Sequence, residues 1–123
     1  MEPKPVIYEV IYQCKPEVEE EHNTWVDDTH IPMLLQFKGL KRLDRYKLVS
    51  EIQPYGLYNR IDAPEGYSEY ILILEFENWQ DFEAYEASPE RAAAIEEART
   101  HDWHGLHEVK RRVQYELVKA WKR

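Results

Sequence analysis

The chemistry-bearing residues of this 123-residue chain are concentrated between Trp25 and Phe37, in the stretch WVDDTHIPMLLQF. An imidazole titrates near neutrality, so His30 at the rim of an apolar pocket could give and take a proton. Phenols could steady the oxyanion that develops on a carbonyl during such a transfer. Tyr46 and Tyr70 are the candidates for that role beside His30. Trp25, Tyr8 and Tyr12 would add the flat walls that suit a ring-bearing ligand. Each residue also has a plainer reading. His30 could be a buried histidine donating to a backbone carbonyl freed by Pro32, and the aromatic residues could be ordinary core.

The other candidates are weaker. His101, His104 and His107 have a metal-like composition. On a helix, spacings of three fan them over about 120° and do not converge on one ion. A loop could gather them with Asp102 or Glu108, but no metal is expected. Asp27 and Asp28 read as a solvated face. The four glycines form neither a dinucleotide nor a phosphate loop, and no Gly-x-Ser-x-Gly elbow occurs.

Elements that position these residues follow from pattern. VIYEVIYQC, residues 6–14, is β-branched and aromatic and reads as a strand. Pro16 and the acids Glu17 to Glu21 suit a helix start. At about 100° per residue, His22, Val26, Thr29, His30, Met33, Leu34 and Phe37 share one arc. Pro32 predicts a kink or break at 30–32, and Gly39 ends the segment. Leu40 to Ile52 reads as a charged edge strand, and Gln53 to Tyr67 as a long loop. Ser68 to Glu77 is the strongest strand. Asn78 and Ser88-Pro89 announce two helical pieces, about 79–86 and 89–99. Val109 to Trp121 is the last strand.

That order, strand, helix, strand, strand, helix, strand, predicts one α+β domain over residues 1–123. It is a ferredoxin-like sandwich of a four-stranded antiparallel sheet with two broken helices on one face. The opposite sheet face would carry Ile7, Glu9, Ile11, Ile71, Ile73 and Glu75. An apolar face of that size predicts a homodimer, sheet against sheet. Arg45 or Arg112 would then neutralise Glu9 and Glu75.

Composition narrows the partners. A net charge of −8 argues against nucleic acid, and the Lys110-Arg111-Arg112 cluster is small. No apolar run approaches a membrane span, and no signal-peptide layout is present. The single Cys14 excludes an internal disulfide. A cytoplasmic protein with a structural Cys14 is expected.

The pattern Trp25-x4-His30-Ile31-Pro32, then apolar residues, Gly39 and Arg45-Tyr46, resembles the EthD-like group of the dimeric α+β barrel superfamily. The first strand and helix are also similar to a domain-of-unknown-function family within it. The resemblance runs over most of the chain and is specific between Trp25 and Tyr46. Residues 53–67 and 101–107 have no counterpart in it. It implies a dimer with a ligand cavity in each protomer. Members include cofactor-free isomerases, dehydratases or decarboxylases of cyclic and aromatic compounds, and monooxygenases. In several, a histidine at the place of His30 is an acid–base or binding residue. A scaffold hosts many chemistries, so two readings stand: a cofactor-independent enzyme acting on a cyclic or aromatic carbonyl compound, or a non-catalytic binding or regulatory homodimer.

Overall fold

The computed structural model describes residues 4–52, 60–62, 68–100 and 107–123, with the backbone alone at 50–52, 60–62 and 107–108. Strand β1 spans Val6–Cys14 and β5 spans Ser68–Phe76. They pair antiparallel at the centre of a four-stranded sheet, with Tyr8 opposite Leu74 and Tyr12 opposite Tyr70. Strand β2, Arg42–Lys47, flanks β5, and β6, His107–Glu116, flanks β1. The order β2-β5-β1-β6 with every pair antiparallel is the ferredoxin-like α+β arrangement.

Two differences from expectation fall in the middle of the chain. The charged strand ends at Lys47, and Ser50–Ile52 forms a separate strand β3. β3 pairs with β4, Arg60–Asp62, in a small second sheet, and only β4 falls inside what the turn residues marked as loop. Three ladder residues are too few to leave a periodic pattern. The remainder of 53–67 lies outside the described residues. The last strand stops at Glu116, and residues 117–123 continue without regular structure.

Both helical segments cover one sheet face, because strand alternation presents an apolar row there. Tyr8, Tyr12, Tyr70, Leu72, Leu74 and Phe76 pack with Leu34, Phe82, Tyr85 and Ala94 in one core. Helix α3, Trp79–Glu86, is capped by Asn78, whose Oδ1 accepts from the Asp81 amide at 2.8 Å. Ser88 joins α3 to α4, Pro89–Thr100. Its Oγ donates to the Tyr85 carbonyl at 2.7 Å and accepts from the Arg91 amide at 3.1 Å. Ala94 and Ala98 are buried, and their small side chains let α4 lie close to its neighbours.

The first segment opens with a 3₁₀ turn, Pro16–Val18, and runs through α1, Glu19–Trp25. The expected break at Pro32 is absent. The chain passes through a π-helical turn, Val26–His30, into α2, Ile31–Leu34, with Trp25, His30 and Ile31 all in right-handed helical geometry. Proline has no amide to offer the Asp28 carbonyl and its ring crowds that position. A wider turn gives the proline ring room. Gly39 owes its identity to space, not to a left-handed conformation: a Cβ there would lie 2.7 Å from the Phe37 ring.

The face away from the helices carries Ile7, Glu9, Ile11, Ile71, Ile73 and Glu75, all half-buried. Register adds Arg42, Asp44 and Tyr46 from β2, and Arg111, Val113 and Tyr115 from β6. Arg45 and Arg112, expected to neutralise Glu9 and Glu75, point the other way. Arg45 is opposite Leu72, and Arg112 is opposite Val10, on the helix side. Arg42, opposite Glu75, and Arg111, opposite Ile11, are the cations of the open face. At a β-bulge between Ile11 and Tyr12 the register steps from Arg111 to Val109, so Val109 and Arg112 both remain on the helix side.

Candidate functional site

A cavity of about 300 Å³ lies between the sheet and the helices. Strand alternation delivers Tyr8, Val10 and Tyr12 to its floor, with Leu72 and Leu74 beside them and Val109 and Arg112 from β6. The first helical segment contributes His22, Trp25, His30 and Leu34. The second contributes Tyr85 from α3 and Arg91, Ile95 and Ala98 from one face of α4.

His30 occupies the last position of the π turn, and its ring lines the cavity. It stacks on Trp25 with ring centroids 4.8 Å apart. Trp25 is fixed in turn by donating from Nε1 to Glu97 Oε2 at 2.7 Å. Burial pushes the His30 pKa below the ordinary value of 6.5, and the Glu97 carboxylate pulls it the other way. The imidazole is therefore neutral at pH 7. Its Nδ1 is buried and has no hydrogen-bond partner among the described residues. Leaving such an atom unsatisfied costs about 1–3 kcal/mol, which a hydroxyl or water placed against it would recover. The plainer reading, a backbone carbonyl as partner, has no support at Nδ1.

Tyr12 is held from behind by a polar network. Arg45 extends over the Tyr70 ring, 4.3 Å from its centroid, and donates from Nε to the Tyr12 hydroxyl at 3.0 Å. The same guanidinium reaches Asp27 at 3.2 Å and Asn23. Asn23 donates to the Tyr70 hydroxyl at 3.1 Å, and that hydroxyl donates to Glu19 at 2.5 Å. Hydrogen bonds from Ser68, Tyr70 and Lys47 hold the Glu19 carboxyl below its usual range. Burial pushes the Tyr12 phenol up to about 12 against the pull of Arg45, so it is a neutral hydroxyl at any working pH. Burial pushes Tyr85 up to about 12 as well and raises Tyr8.

The candidates thus separate. His30, Trp25, Tyr8 and Tyr12 meet in one cavity. Tyr70 stacks behind Tyr12 at 5.6 Å with its hydroxyl committed to Glu19 and Asn23, and does not line the cavity. Tyr46 is opposite Ile71 and 53% exposed, on the far side of the sheet; the alternation of β2 sends Arg45 inward in its place. His101 and His104 lie outside the described residues, as does the His107 side chain. Among the described residues no group of three metal-ligating side chains occurs. Cys14 is buried, and its thiol pKa is raised by burial and then by Glu19. His22, Tyr85, Arg91 and Arg112 line the cavity without having been singled out for chemistry. Position i, i+4, i+7 along α4 would have grouped Arg91 with Ile95 and Ala98.

Residues 5–118 match the family described as Domain of unknown function (DUF4286), and the chain belongs to that family. No curated protein matches it. Among solved structures, a hydroxynitrile lyase from Passiflora edulis is 12% identical with a TM-score of 0.64, covering 98% of this chain and 99% of its own. HapK from Hahella chejuensis is 14% identical with a TM-score of 0.60, covering 97% and 98%. An ethyl tert-butyl ether D (EthD) family protein from Bacillus halodurans is 13% identical with a TM-score of 0.56, covering 91% and 99%. At these identities the likeness is one of fold, and it agrees with the EthD-like resemblance of the Trp25–Tyr46 region. Among the described residues no helix is long and apolar enough to cross a membrane.

Proposed function

We propose that this protein binds a small ring-bearing carbonyl compound between sheet and helices and moves a proton on it through His30, without a nucleotide cofactor. The observation that carries this reading is His30 itself, neutral, stacked on Trp25 and lining the cavity with an unsatisfied buried Nδ1. As a base it would take a proton from the carbon next to the carbonyl. The electron pair of that C–H bond becomes the enolate, whose oxygen the neutral Tyr12 or Tyr8 hydroxyl can hydrogen-bond. Where the enolate is conjugated with a further double bond, the imidazolium then delivers the proton to the far carbon, which shifts the double bond and completes an isomerisation. The neighbour named a hydroxynitrile lyase fits a small-molecule site on this scaffold, although fold alone assigns no activity.

His30→Asn tests the reading. Loss of binding of small aryl ketones by ligand-observed NMR, with unchanged circular dichroism, supports it. Unchanged binding with lost turnover would separate catalysis from recognition. Unchanged binding without any turnover in the parent protein favours the second reading, a non-catalytic binding protein. That reading draws on the displacement of Tyr46 and Tyr70 from the cavity.

The same proposal includes a homodimer through the open sheet face. Ile7, Ile11, Ile71, Ile73 and Val113 form its apolar centre, with Arg42, Arg111, Glu9, Asp44 and Glu75 around them. Both signs occur, so a two-fold axis can set unlike charges against each other. The exposed Leu117, Val118 and Trp121 in residues 117–123 add apolar surface that a second protomer could cover. A monomer by sedimentation velocity at micromolar concentration would refute the dimer.

A further inference from the structure

The cavity has a second polar end that the reading above does not use. Arg91 projects from the first turn of α4, and Arg112 from β6 opposite Val10; both line the wall with the Tyr8 and Tyr85 rings. Both guanidinium groups lie within electrostatic reach of both phenols, Arg112 from the exposed rim of the wall. Three other arginines are ion-paired, Arg42 with Asp44, Arg45 with Asp27 and Arg99 with Glu96, whereas Arg111 reaches only the Tyr115 hydroxyl. Neither Arg91 nor Arg112 has a carboxylate partner among the described residues. The Arg91 side chain makes a long contact of 3.5 Å to the Glu86 carbonyl and also hydrogen-bonds the Tyr85 hydroxyl. The Glu86 carboxylate also acts on Tyr8, so the local balance is two cations against one anion.

The spacing of the two ends matches one molecule. His30 interacts with Glu97, and Trp25 packs against Ala98, near the end of α4. Arg91 lies six to seven residues earlier, roughly 10 Å along the helix axis at about 1.5 Å per residue. A volume of about 300 Å³ is on the order of ten water molecules.

Resting on the binding reading above, we propose that the ligand is an organic acid. Its ring and carbonyl sit against Trp25 and His30, and its carboxylate is gripped by Arg91 and Arg112 with the neutral Tyr8 and Tyr85 hydroxyls as further donors. Guanidinium groups recognise carboxylates by paired, charge-assisted hydrogen bonds. The apolar floor of Val10, Leu72 and Leu74 between the two ends accommodates the connecting methylenes.

The test uses β-benzoylpropionate, an aryl ketone ending in a carboxylate, and its primary amide, which has the same shape and no charge. Both are titrated into the full chain at pH 7 by calorimetry. The acid is expected to bind at least roughly tenfold tighter than the amide. In Arg91→Gln/Arg112→Gln the acid falls to the affinity of the amide, while the amide is unaffected. Equal binding of acid and amide to the parent protein overturns this inference and leaves the cavity reading intact. Binding of neither overturns both. Because the acid–amide ratio is read on the parent chain, the outcome stands even where the double variant does not fold.

Discussion

The two faces of the central sheet are built from the same kinds of residue and are treated oppositely by the rest of the molecule. On the helix side, Phe76 and Val6 are fully buried, and Leu74 and Phe82 nearly so. On the other side, Ile7, Ile11, Ile71 and Ile73 are only half-buried, and no described helix packs over them. β1 and β5 therefore read as apolar on both faces, a pattern expected of a sheet covered twice. The helices cover it once. The covered face encloses the cavity, and the open face is the surface on which the proposed dimer would form.

The comparison breaks most visibly at Phe76. Phe76→Ala should cost about 3–5 kcal/mol in denaturant melts, because the cavity it leaves cannot collapse against Phe82 and Tyr85. Ile73→Lys should leave the fold of the protomer intact and weaken dimerisation about a hundredfold in sedimentation equilibrium. If Ile73→Lys instead unfolds the dilute protomer, the two faces are not distinct. Arg45→Ala should cost about 2 kcal/mol, since it removes charge-assisted bonds to Tyr12, Asn23 and Asp27. It should also loosen the Tyr12 ring, visible as altered ring NMR shifts. Gly39→Ala should cost about 1 kcal/mol, because its Cβ displaces a Phe37 ring that packs on Tyr85 at 5.8 Å.

The smallest effect is one of pH. Burial lowers the His30 pKa in the folded state, so below the ordinary value of 6.5 the unfolded chain takes up the proton more readily. The stability associated with His30 is present above pH 6.5 and is lost as pH falls through that value toward the folded pKa. His30→Gln should flatten this part of the stability–pH curve while leaving the alkaline side unchanged.

Much of this architecture is legible in sequence because its elements announce themselves locally. VIYEVIYQC and SEYILILEF are strands by alternation, and Asn78 and Ser88-Pro89 mark the helix starts. What sequence does not reveal is long-range or depends on a one-residue phase. Tyr46 and Arg45 are adjacent, and only strand register decides which of them turns inward. Arg91 and Arg112 reach the same cavity from different elements. The hairpin β3–β4 is short enough to resemble a loop. Tyr70 faces the helices as alternation predicts, but its hydroxyl is claimed by Glu19 and Asn23, which no local pattern records.

The π turn at Val26–His30 has an evolutionary consequence. A turn that holds one residue more than its neighbours is closed by a single-codon deletion and created by a single-codon insertion. Removing Thr29 would close the wide turn and absorb the deletion locally, leaving α1 and α2 facing as before while the residues inside the turn, His30 among them, change place. Pro32 would then crowd the carbonyl four residues before it. The sheet would be untouched, so related chains that differ in length here should differ in the group beside Trp25 before they differ in fold.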